Sequence, residues 1–227
     1  MQPYFLPYIG YWQLLNKVDK FIVYDNIQYT KKGWINRNRF LKNGKDALFT
    51  IPLKKDSDTL NISDRTIAST YDKDKLTSQF RNTYLRAPYF EDAFPVIEEV
   101  IHYNAENLFD YILNSIKKIC SYLKIDDSKI TASSSIPIDH TLKSEEKVLA
   151  LCHAMEAKEY YNPIGGVALY DKVHFSNQNI DLKFLKALPI EYKQHNNEFV
   201  PWLSIVDIMM FSNLSSIQEM LTHFTLE

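Results

Sequence analysis

The opening segment, MQPYFLPYIGYWQLLNK, constrains the fold more than any other stretch of this chain of 227 residues. Prolines near a chain end are common in disordered tails, but such tails are poor in aromatic residues. We therefore interpret the segment as ordered backbone of unusual shape, which is where functional sites tend to lie. Pro3, Pro7 and Gly10 are expected to shape a tight loop that leads into a helix. The aromatic side chains of the segment are Tyr4, Phe5, Tyr8, Tyr11 and Trp12.

Patterns typical of strands and of helices alternate along the rest of the chain. Short β-branched or aromatic runs predict strands over 20–25, 47–53, 61–68, 129–133, 182–185 and the first part of 160–166. Apolar spacing predicts helices over 9–18, 72–85, 89–103, 105–123, 144–155, 202–211 and 216–224. Pro95 is expected to start the regular part of the third helix, and Ser144 to cap the fifth. The sequence thus predicts one α/β domain over 1–227, with a mostly parallel sheet and a helical insertion at about 72–125.

Composition and charge exclude several classes of protein. The net charge of −2 provides no basic field for duplex nucleic acid. No apolar run is long enough to span a membrane, and no basic segment precedes an apolar stretch as in a signal peptide. Cys120 and Cys152 are the only cysteines, and both fall in helical patterns. We therefore predict a cytoplasmic protein with two buried thiols.

The segment 24–39, YDNIQYTKKGWINRNR, is the first candidate for a site. Asp25 falls where a predicted strand ends, and the carboxyl ends of strands face the ligand crevice in open α/β sheets. The following residues combine amides, cations and an aromatic ring, a set suited to phosphate with a sugar or base. The alternative is a solvated polar loop, which the apolar Trp34 and Ile35 disfavour. The predicted binding residues are Gln28, Lys31, Trp34, Asn36, Arg37, Asn38 and Arg39.

The segment 160–171, YYNPIGGVALYD, is the second candidate. The pair Gly165-Gly166 permits positive φ or a close approach of the backbone to a ligand. Exposed amides in such a turn can hold an anion or an oxyanion. Asn162 and Tyr170 flank the pair as further binding residues. The alternative is a tight turn between a strand and a helix.

The segment 192–207, YKQHNNEFVPWLSIVD, offers groups for acid–base chemistry. Ser204 and Asp207 have the spacing of a helix cap, which by itself explains both residues. His195 can titrate near neutral pH, although most lone histidines have structural roles. The predicted catalytic residues are Asp25, Asp207 and His195, and Ser204 is a predicted binding residue.

Motifs of other reaction classes do not occur in the sequence. It contains no Cys-x-x-Cys or His-x-x-x-His spacing and no Walker, Gly-x-Gly-x-x-Gly or Gly-x-Ser-x-Gly motif. Cys152 and His153 are helix neighbours about 100° apart, a poor geometry for a nucleophile pair. We therefore predict no metal centre and no covalent cysteine, and the sequence identifies no cofactor.

Four stretches together carry a resemblance to a known family. They are MQPYFLPYIGYWQLL, DKFIVYDNIQYTKKGWINRNR, YYNPIGGVALYD and FVPWLSIVDIMMF. Through them the chain resembles the WbqC-like family over nearly its whole length. Members of that family commonly carry a short apolar strand before Met-Gln-Pro, whereas Met1 opens the motif here.

The resemblance implies a role in building bacterial surface polysaccharide, because family members occur in O-antigen gene clusters. It also implies glycyl transfer from an activated amino acid donor to a nucleotide-linked amino sugar. That chemistry needs a deprotonated amine and a stabilised oxyanion. The residues assigned to these roles are Asp25 or Asp207 for the amine, Gly165-Gly166 for the oxyanion, and Arg37 with Arg39 for the diphosphate.

A second hypothesis is a non-catalytic protein that holds a nucleotide sugar, or another enzyme, in the same pathway. A binding protein needs the arginines and the aromatic rings but neither an acid nor a base. A homo-oligomer is compatible with both hypotheses.

The order of strand, Pro-x-x-Gly-aromatic, helix and strand ending in Asp is also similar to the start of nucleotidylyltransferases and pantothenate synthetases. Those enzymes carry His-x-Gly-His where this chain has Tyr8-Ile-Gly10-Tyr11, and tyrosine brings no positive charge. The alternative is an aromatic minicore beneath a helix N-terminus. We expect a pocket lined by Tyr4, Tyr8 and Tyr11, with polar contacts from Gln2, Asp25 and Asn36.

Overall fold

The structure, a computed structural model, describes residues 1–195 and 198–227. The strands in these ranges are β1 (Phe21–Val23), β2 (Arg37–Lys42), β3 (Lys45–Thr50), β4 (Ile130–Ala132), β5 (Glu159–Pro163), β6 (Asp181–Ala187) and β7 (Phe224–Leu226). The helices are α1 (Ile9–Lys17), α2 (Lys73–Tyr84), α3 (Phe90–His102), α4 (Leu108–Leu123), α5 (Ser144–Ala154), α6 (Lys172–Asn177), α7 (Ile205–Phe211) and α8 (Leu214–Met220). Short 3-10 turns lie at Ile62–Asp64, Ser133–Ser135 and Ile164–Leu169.

Small parallel sheets and one hairpin form the β part of this mixed α/β fold. β1 pairs with β4 in parallel, and β5 pairs with β6 in parallel. β7 joins β6 in the antiparallel direction. β2 and β3 form a hairpin whose turn residues Asn43 and Gly44 have φ angles of 52° and 72°. Positive φ at both positions is what a type I′ turn requires, and Asn-Gly is a preferred pair for it.

A groove of about 600 Å³ separates β1 from β5. The backbone of Met1 lies beside β1 at the end of this groove. Its amino group donates to the carbonyl oxygen of Ile22 at 2.7 Å, and its own carbonyl accepts from the amide of Tyr24 at 2.8 Å. These two bonds direct the opening segment past the carboxyl end of β1.

The helices α2, α3 and α4 pack on one another and bury a large aromatic core. On α4, Ile112, Ile116 and Ile119 are fully buried at a spacing of three to four residues, as an amphipathic helix requires. Phe80 of α2 lies 5.2 Å, centroid to centroid, from Phe40 of β2. The core therefore joins the helices to the hairpin, which carries the predicted arginines.

The opening segment is bonded to three other parts of the chain. Leu6, which is fully buried and has a φ of 47°, presents its carbonyl oxygen to Asn38 Nδ2 at 2.8 Å and Ser204 Oγ at 2.7 Å. The amide of Phe5 donates to the carbonyl of Ile35 at 2.9 Å. These bonds hold an irregular backbone in one shape, as the prolines and aromatic residues predict.

The structure corrects two of the predicted strands and helices. Residues 61–68 form a 3-10 turn and isolated β-bridges where a strand is predicted. The last predicted helix ends at Met220, and β7 follows because its residues pair with β6. The strand β2 lies within 26–45, where the sequence predicts a loop with a turn or a short strand, and the short helix α6 lies outside the predicted elements.

The roles predicted for Pro95 and Ser144 at their helix N-termini are also wrong. Pro95 lies inside α3, which begins earlier at Phe90 and lacks one amide donor at the proline. The N-cap of α5 is Lys143, without a side-chain hydrogen bond, and Ser144 is the first helical residue. Ser144 has a φ of 47°, an uncommon conformation for a residue other than glycine.

The bond from Ser204 to Leu6 generates a stability prediction. Ser204 Oγ also accepts from the amide of Val206 at the start of α7. Ser204→Ala removes this cap and one donor to a buried carbonyl, so we expect a loss of about 1–3 kcal/mol in the free energy of unfolding. Urea denaturation measures the loss, with Ser215→Ala on the exposed face of α8 as the control. Equal midpoints for the two variants would contradict the anchoring role.

Candidate functional site

A cleft of about 1000 Å³ opens at the carboxyl ends of β1 and β5. Its walls come from the opening segment, the start of the hairpin, the first turn of α5 and the 3-10 turn Ile164–Leu169. Ligand crevices of parallel sheets lie at this end of the strands. The predicted binding residues that line the cleft are Gln2, Tyr4, Tyr8, Tyr11, Trp34, Asn38, Arg39, Asn162, Gly165, Gly166 and Tyr170.

The cleft is positively charged and rich in aromatic rings. Arg39 and Lys147 are its charged side chains. Within residues 1–195 and 198–227, no Asp, Glu, His or Cys lines it. Tyrosine and tryptophan present flat apolar faces with polar edges. The combination favours an anionic ligand that carries a flat or sugar-like body.

The tyrosines of the opening segment form one wall of the cleft. The ring of Tyr8 covers Gly10 so closely that a Cβ at Gly10 would lie 2.2 Å from Tyr8 Oη. On its other side Tyr8 contacts Trp202, with the ring centroids 5.6 Å apart. Burial raises the pKa of Tyr4 and Tyr8, so these hydroxyls stay protonated at neutral pH. Gly10 is therefore explained by a close ring contact.

Trp34 lies between two arginines at the cleft entrance. The guanidinium carbons of Arg37 and Arg39 are 5.5 Å and 5.1 Å from its ring centroid, within cation–π range. Arg37 donates through Nε to the carbonyl of Gly33 at 2.8 Å and lies outside the cleft lining. Arg39 lines the cleft, and its Nη1 lies 3.7 Å from Asp46 Oδ2. The two arginines are therefore not equivalent.

The glycine pair lies in the 3-10 turn that follows β5. Neither glycine has a positive φ, so that predicted reason for glycine is wrong, and a close approach of the backbone to a ligand stays a prediction. A Cβ at Gly166 would lie 2.1 Å from Asn162 Oδ1, whereas a Cβ at Gly165 would meet open space. Asn162 in turn donates to the hydroxyl of Tyr160 at 2.7 Å. Gly166 thus permits the packing of Asn162, and Gly165 leaves space at the cleft surface.

Comparison with known proteins places the chain in a family. The model of the WbqC-like protein family matches residues 2–219. The chain belongs to the WbqC-like protein family. Membership supports a function connected with O-antigen gene clusters. The chain is also 28% identical over 215 residues to "Uncharacterized protein Rv1507c" of Mycobacterium tuberculosis, covering 92% of this chain and 90% of that protein. No solved structure shows a significant match.

Asp25 of this WbqC-like protein lies at the predicted strand end, but behind the cleft wall. Ser133 Oγ and the amide of Ser134 donate to its Oδ1 at 2.8 Å and 2.9 Å, and Ser134 Oγ donates to Oδ2. Burial alone would raise the pKa of Asp25, but the hydrogen bonds from Ser134 and Ser133 outweigh it and lower the pKa. The carboxylate therefore joins β1 to the turn after β4.

Asp207 lies in a second buried polar cluster, away from the cleft lining. It accepts from Tyr84 Oη at 3.0 Å, Tyr192 Oη at 2.7 Å and Gln194 Nε2 at 2.6 Å. Burial raises the pKa of Asp207, and these bonds oppose that effect. His195 packs edge-on against Phe211 and contacts the carbonyl of Thr83 with Nε2, outside the cleft lining. Neither predicted catalytic group faces the cleft.

The remaining predicted residues occupy structural positions. Asn36 accepts from Tyr29 and donates to the carbonyl of Ile51. On the surface, Gln28 donates to the backbone carbonyl of Asp58, and Lys31 forms an ion pair with the carboxylate of Asp58. Asn38 lines the cleft and donates to the carbonyl oxygen of Leu6. Ser204 donates to the same oxygen but does not line the cleft.

Lys147 is a cleft residue that the sequence analysis does not identify. It is 5% exposed and lies one turn after Ser144, which also lines the cleft. Its position four residues before the buried Leu151 places a cation on the apolar face of α5. A lysine is rarely buried without a partner. A lysine on the apolar face of a predicted helix is therefore the sequence signal that could have identified Lys147.

The structure describes no group of three or more His, Cys, Asp and Glu residues able to hold a metal ion within 1–195 and 198–227. Both cysteines are buried, as predicted, and burial raises the pKa of Cys120 to about 12 and of Cys152 to about 11. In the same ranges, none of the helices combines the length and the apolar character that a membrane span requires.

The Asp25 cluster generates a pH prediction. Because the folded pKa lies below the unfolded value of 3.8, the cluster stabilises the fold above pH 3.8 and loses that contribution as pH falls through the folded pKa. Ser134→Ala removes one charge-assisted bond and should cost about 1.5–3 kcal/mol at pH 7. Urea unfolding across pH should show this cost shrinking below pH 3.8.

Ser135→Ala is the matched control, because Ser135 Oγ donates to the neutral carbonyl of Ala132. Its effect on the free energy of unfolding should not depend on the charge of Asp25. A cost of Ser134→Ala that stays constant down to the lowest pH would contradict the assignment.

Proposed function

We propose that this protein transfers an aminoacyl group, glycyl by preference, to the amine of a nucleotide-linked amino sugar. The observation that carries the proposal is the cleft itself, which combines two cations with aromatic walls and contains no lining carboxylate among the described residues. A sugar nucleotide has the matching parts, a diphosphate and two flat or ring-shaped ends. Family membership connects the protein with the gene clusters in which such sugars are used.

In the proposed complex Arg39 binds the diphosphate. Its guanidinium presents several donors in a plane, which matches the geometry of phosphate oxygens. The ring of Trp34 packs against Arg39, and the exposed ring of Trp202, which also lines the cleft, provides a stacking surface. Arg37 contributes indirectly, by holding the loop that carries Trp34.

The proposed reaction joins the sugar amine to the acyl carbon of an activated amino acid. The N–C bond forms, the bond from the acyl carbon to its oxygen or sulfur breaks, and the amine proton ends on the leaving group. The amides of Gly165 and Gly166 would hold the developing oxyanion. Tyr4, Tyr8 and Tyr11 would limit the acyl site to a small group, which selects glycine by exclusion.

The predicted catalytic carboxylates have positioning roles in this proposal. Asp25 is tied to Ser133, whose Oγ also lies 2.7 Å from Asn26 Oδ1. Asp207 with Tyr84 supports the hairpin, since Tyr84 Oη accepts from the amide of Leu41. Both act through residues that shape the cleft.

A non-catalytic binding protein of the same pathway is the second candidate. The observation that favours it is that no lining side chain of the described cleft is a carboxylate, a histidine or a thiol. A protein that only holds a sugar nucleotide needs the cations and the rings and nothing more.

Product formation distinguishes these functions. We expect a dTDP-linked 4-amino-4,6-dideoxy sugar to gain the mass of one glycyl residue when incubated with activated glycine, and to gain nothing with activated leucine. Mass spectrometry tests free glycine with ATP, glycyl-tRNA and a glycyl thioester as donors. Arg39→Ala should raise the KM for the sugar nucleotide about tenfold or more, since it removes a charge-assisted bond worth roughly 1.5–3 kcal/mol.

Lys42→Ala is the control, because Lys42 is an exposed cation on the same strand and does not line the cleft. Both variants should keep the melting temperature of the wild type. No product with any of the three donors, together with normal binding of the sugar nucleotide, would contradict transfer and favour the binding protein.

A further inference from the structure

Lys147 is an unusual side chain for its surroundings. It lies on α5, is 5% exposed, and lines the cleft beside the carboxyl end of β1. Lysine side chains normally keep their ammonium group in water, and burial of the charged form is costly unless the charge is paired.

The partners of this ammonium are neutral. Nζ donates to the backbone carbonyl of Asn26 at 3.3 Å and to Asn26 Oδ1 at 3.1 Å. In residues 1–195 and 198–227, no carboxylate oxygen lies within 4.0 Å of it. Asp25 acts on it only at longer range, and its carboxylate is already bonded to Ser133 and Ser134.

Asn26 fixes the direction of the ammonium group. Its side-chain amide contacts His140 Nδ1 at 2.9 Å, and its Oδ1 contacts Ser133 Oγ. An ammonium group has three hydrogens, and Asn26 accepts two of them. Within the described residues the third hydrogen has no hydrogen-bond acceptor, and the centroid of the Tyr24 ring lies 5.8 Å from Nζ.

We propose that Lys147 binds a phosphoryl group of the ligand and is the inner phosphate site of the cleft. A phosphoryl oxygen supplies the negative charge that the buried ammonium lacks and accepts its remaining hydrogen. Lysine acts as a compact point charge toward phosphate, and among the described residues no carboxylate lines the cleft. The inference rests on the proposed sugar-nucleotide ligand, but its test requires no turnover.

Isothermal titration with dTDP, thymidine and inorganic pyrophosphate tests the proposal. The wild type should bind dTDP at least tenfold more tightly than thymidine, and pyrophosphate should compete with dTDP. Lys147→Met should weaken dTDP binding at least tenfold and leave thymidine binding unchanged. Lys143→Met, an exposed lysine one turn earlier, should bind both ligands like the wild type.

Lys147→Gln is the second variant, since glutamine can keep a hydrogen bond to Asn26 without the charge, and it should show the same selective loss. Circular dichroism checks that each variant is folded. Equal dTDP affinity in wild type and a folded Lys147 variant would overturn the proposal, as would a wild type that does not prefer dTDP over thymidine. Because glycyl transfer is judged by product mass and this site by binding, the two proposals can fail separately.

Discussion

The carbonyl oxygen of Leu6 is the point on which the cleft depends. It belongs to a residue with positive φ in a fully buried position, and it accepts from Asn38 of the hairpin and from Ser204 before α7. A buried carbonyl without donors is costly, so these bonds join three segments that are distant in sequence. The tyrosines that follow Leu6 are thereby held against the hairpin that carries Arg39.

The charge of the cleft follows from the same arrangement. The two predicted catalytic carboxylates do not line the cleft: Asp25 bonds to the turn after β4, and Asp207 bonds to Tyr84, Tyr192 and Gln194. The cations Arg39 and Lys147 remain at the surface of the cleft. A single chain of nearly neutral net charge thus presents a local positive site.

Local patterns predicted much of the fold and part of the site. The apolar spacing of α4 and the β-branched run of β1 are patterns of residues that are close in sequence. Because such patterns can be read without tertiary contacts, the predicted bounds of both elements lie close to the observed ones. The hairpin strand β2 has no such pattern, because Asn38 stands at a buried position between two arginines and is buried only by tertiary contacts. Close packing explains Gly10 and Gly166, whose neighbours Tyr8 and Asn162 lie nearby in sequence.

The chemical roles depend on contacts that sequence spacing does not reveal. Asp25 is predicted to end a strand and lies two residues after β1, but its donors Ser133 and Ser134 lie more than a hundred residues away. Arg37 and Arg39 look equivalent in sequence, although one bonds the loop backbone and the other lines the cleft.

A crystal structure of the protein with dTDP tests the central claim most directly. We expect the nucleotide in the cleft between the opening segment and the turn Ile164–Leu169, with its diphosphate in hydrogen-bond contact with the Arg39 guanidinium. A nucleotide bound elsewhere on the protein, or an empty cleft at saturating dTDP, would contradict a sugar-nucleotide site.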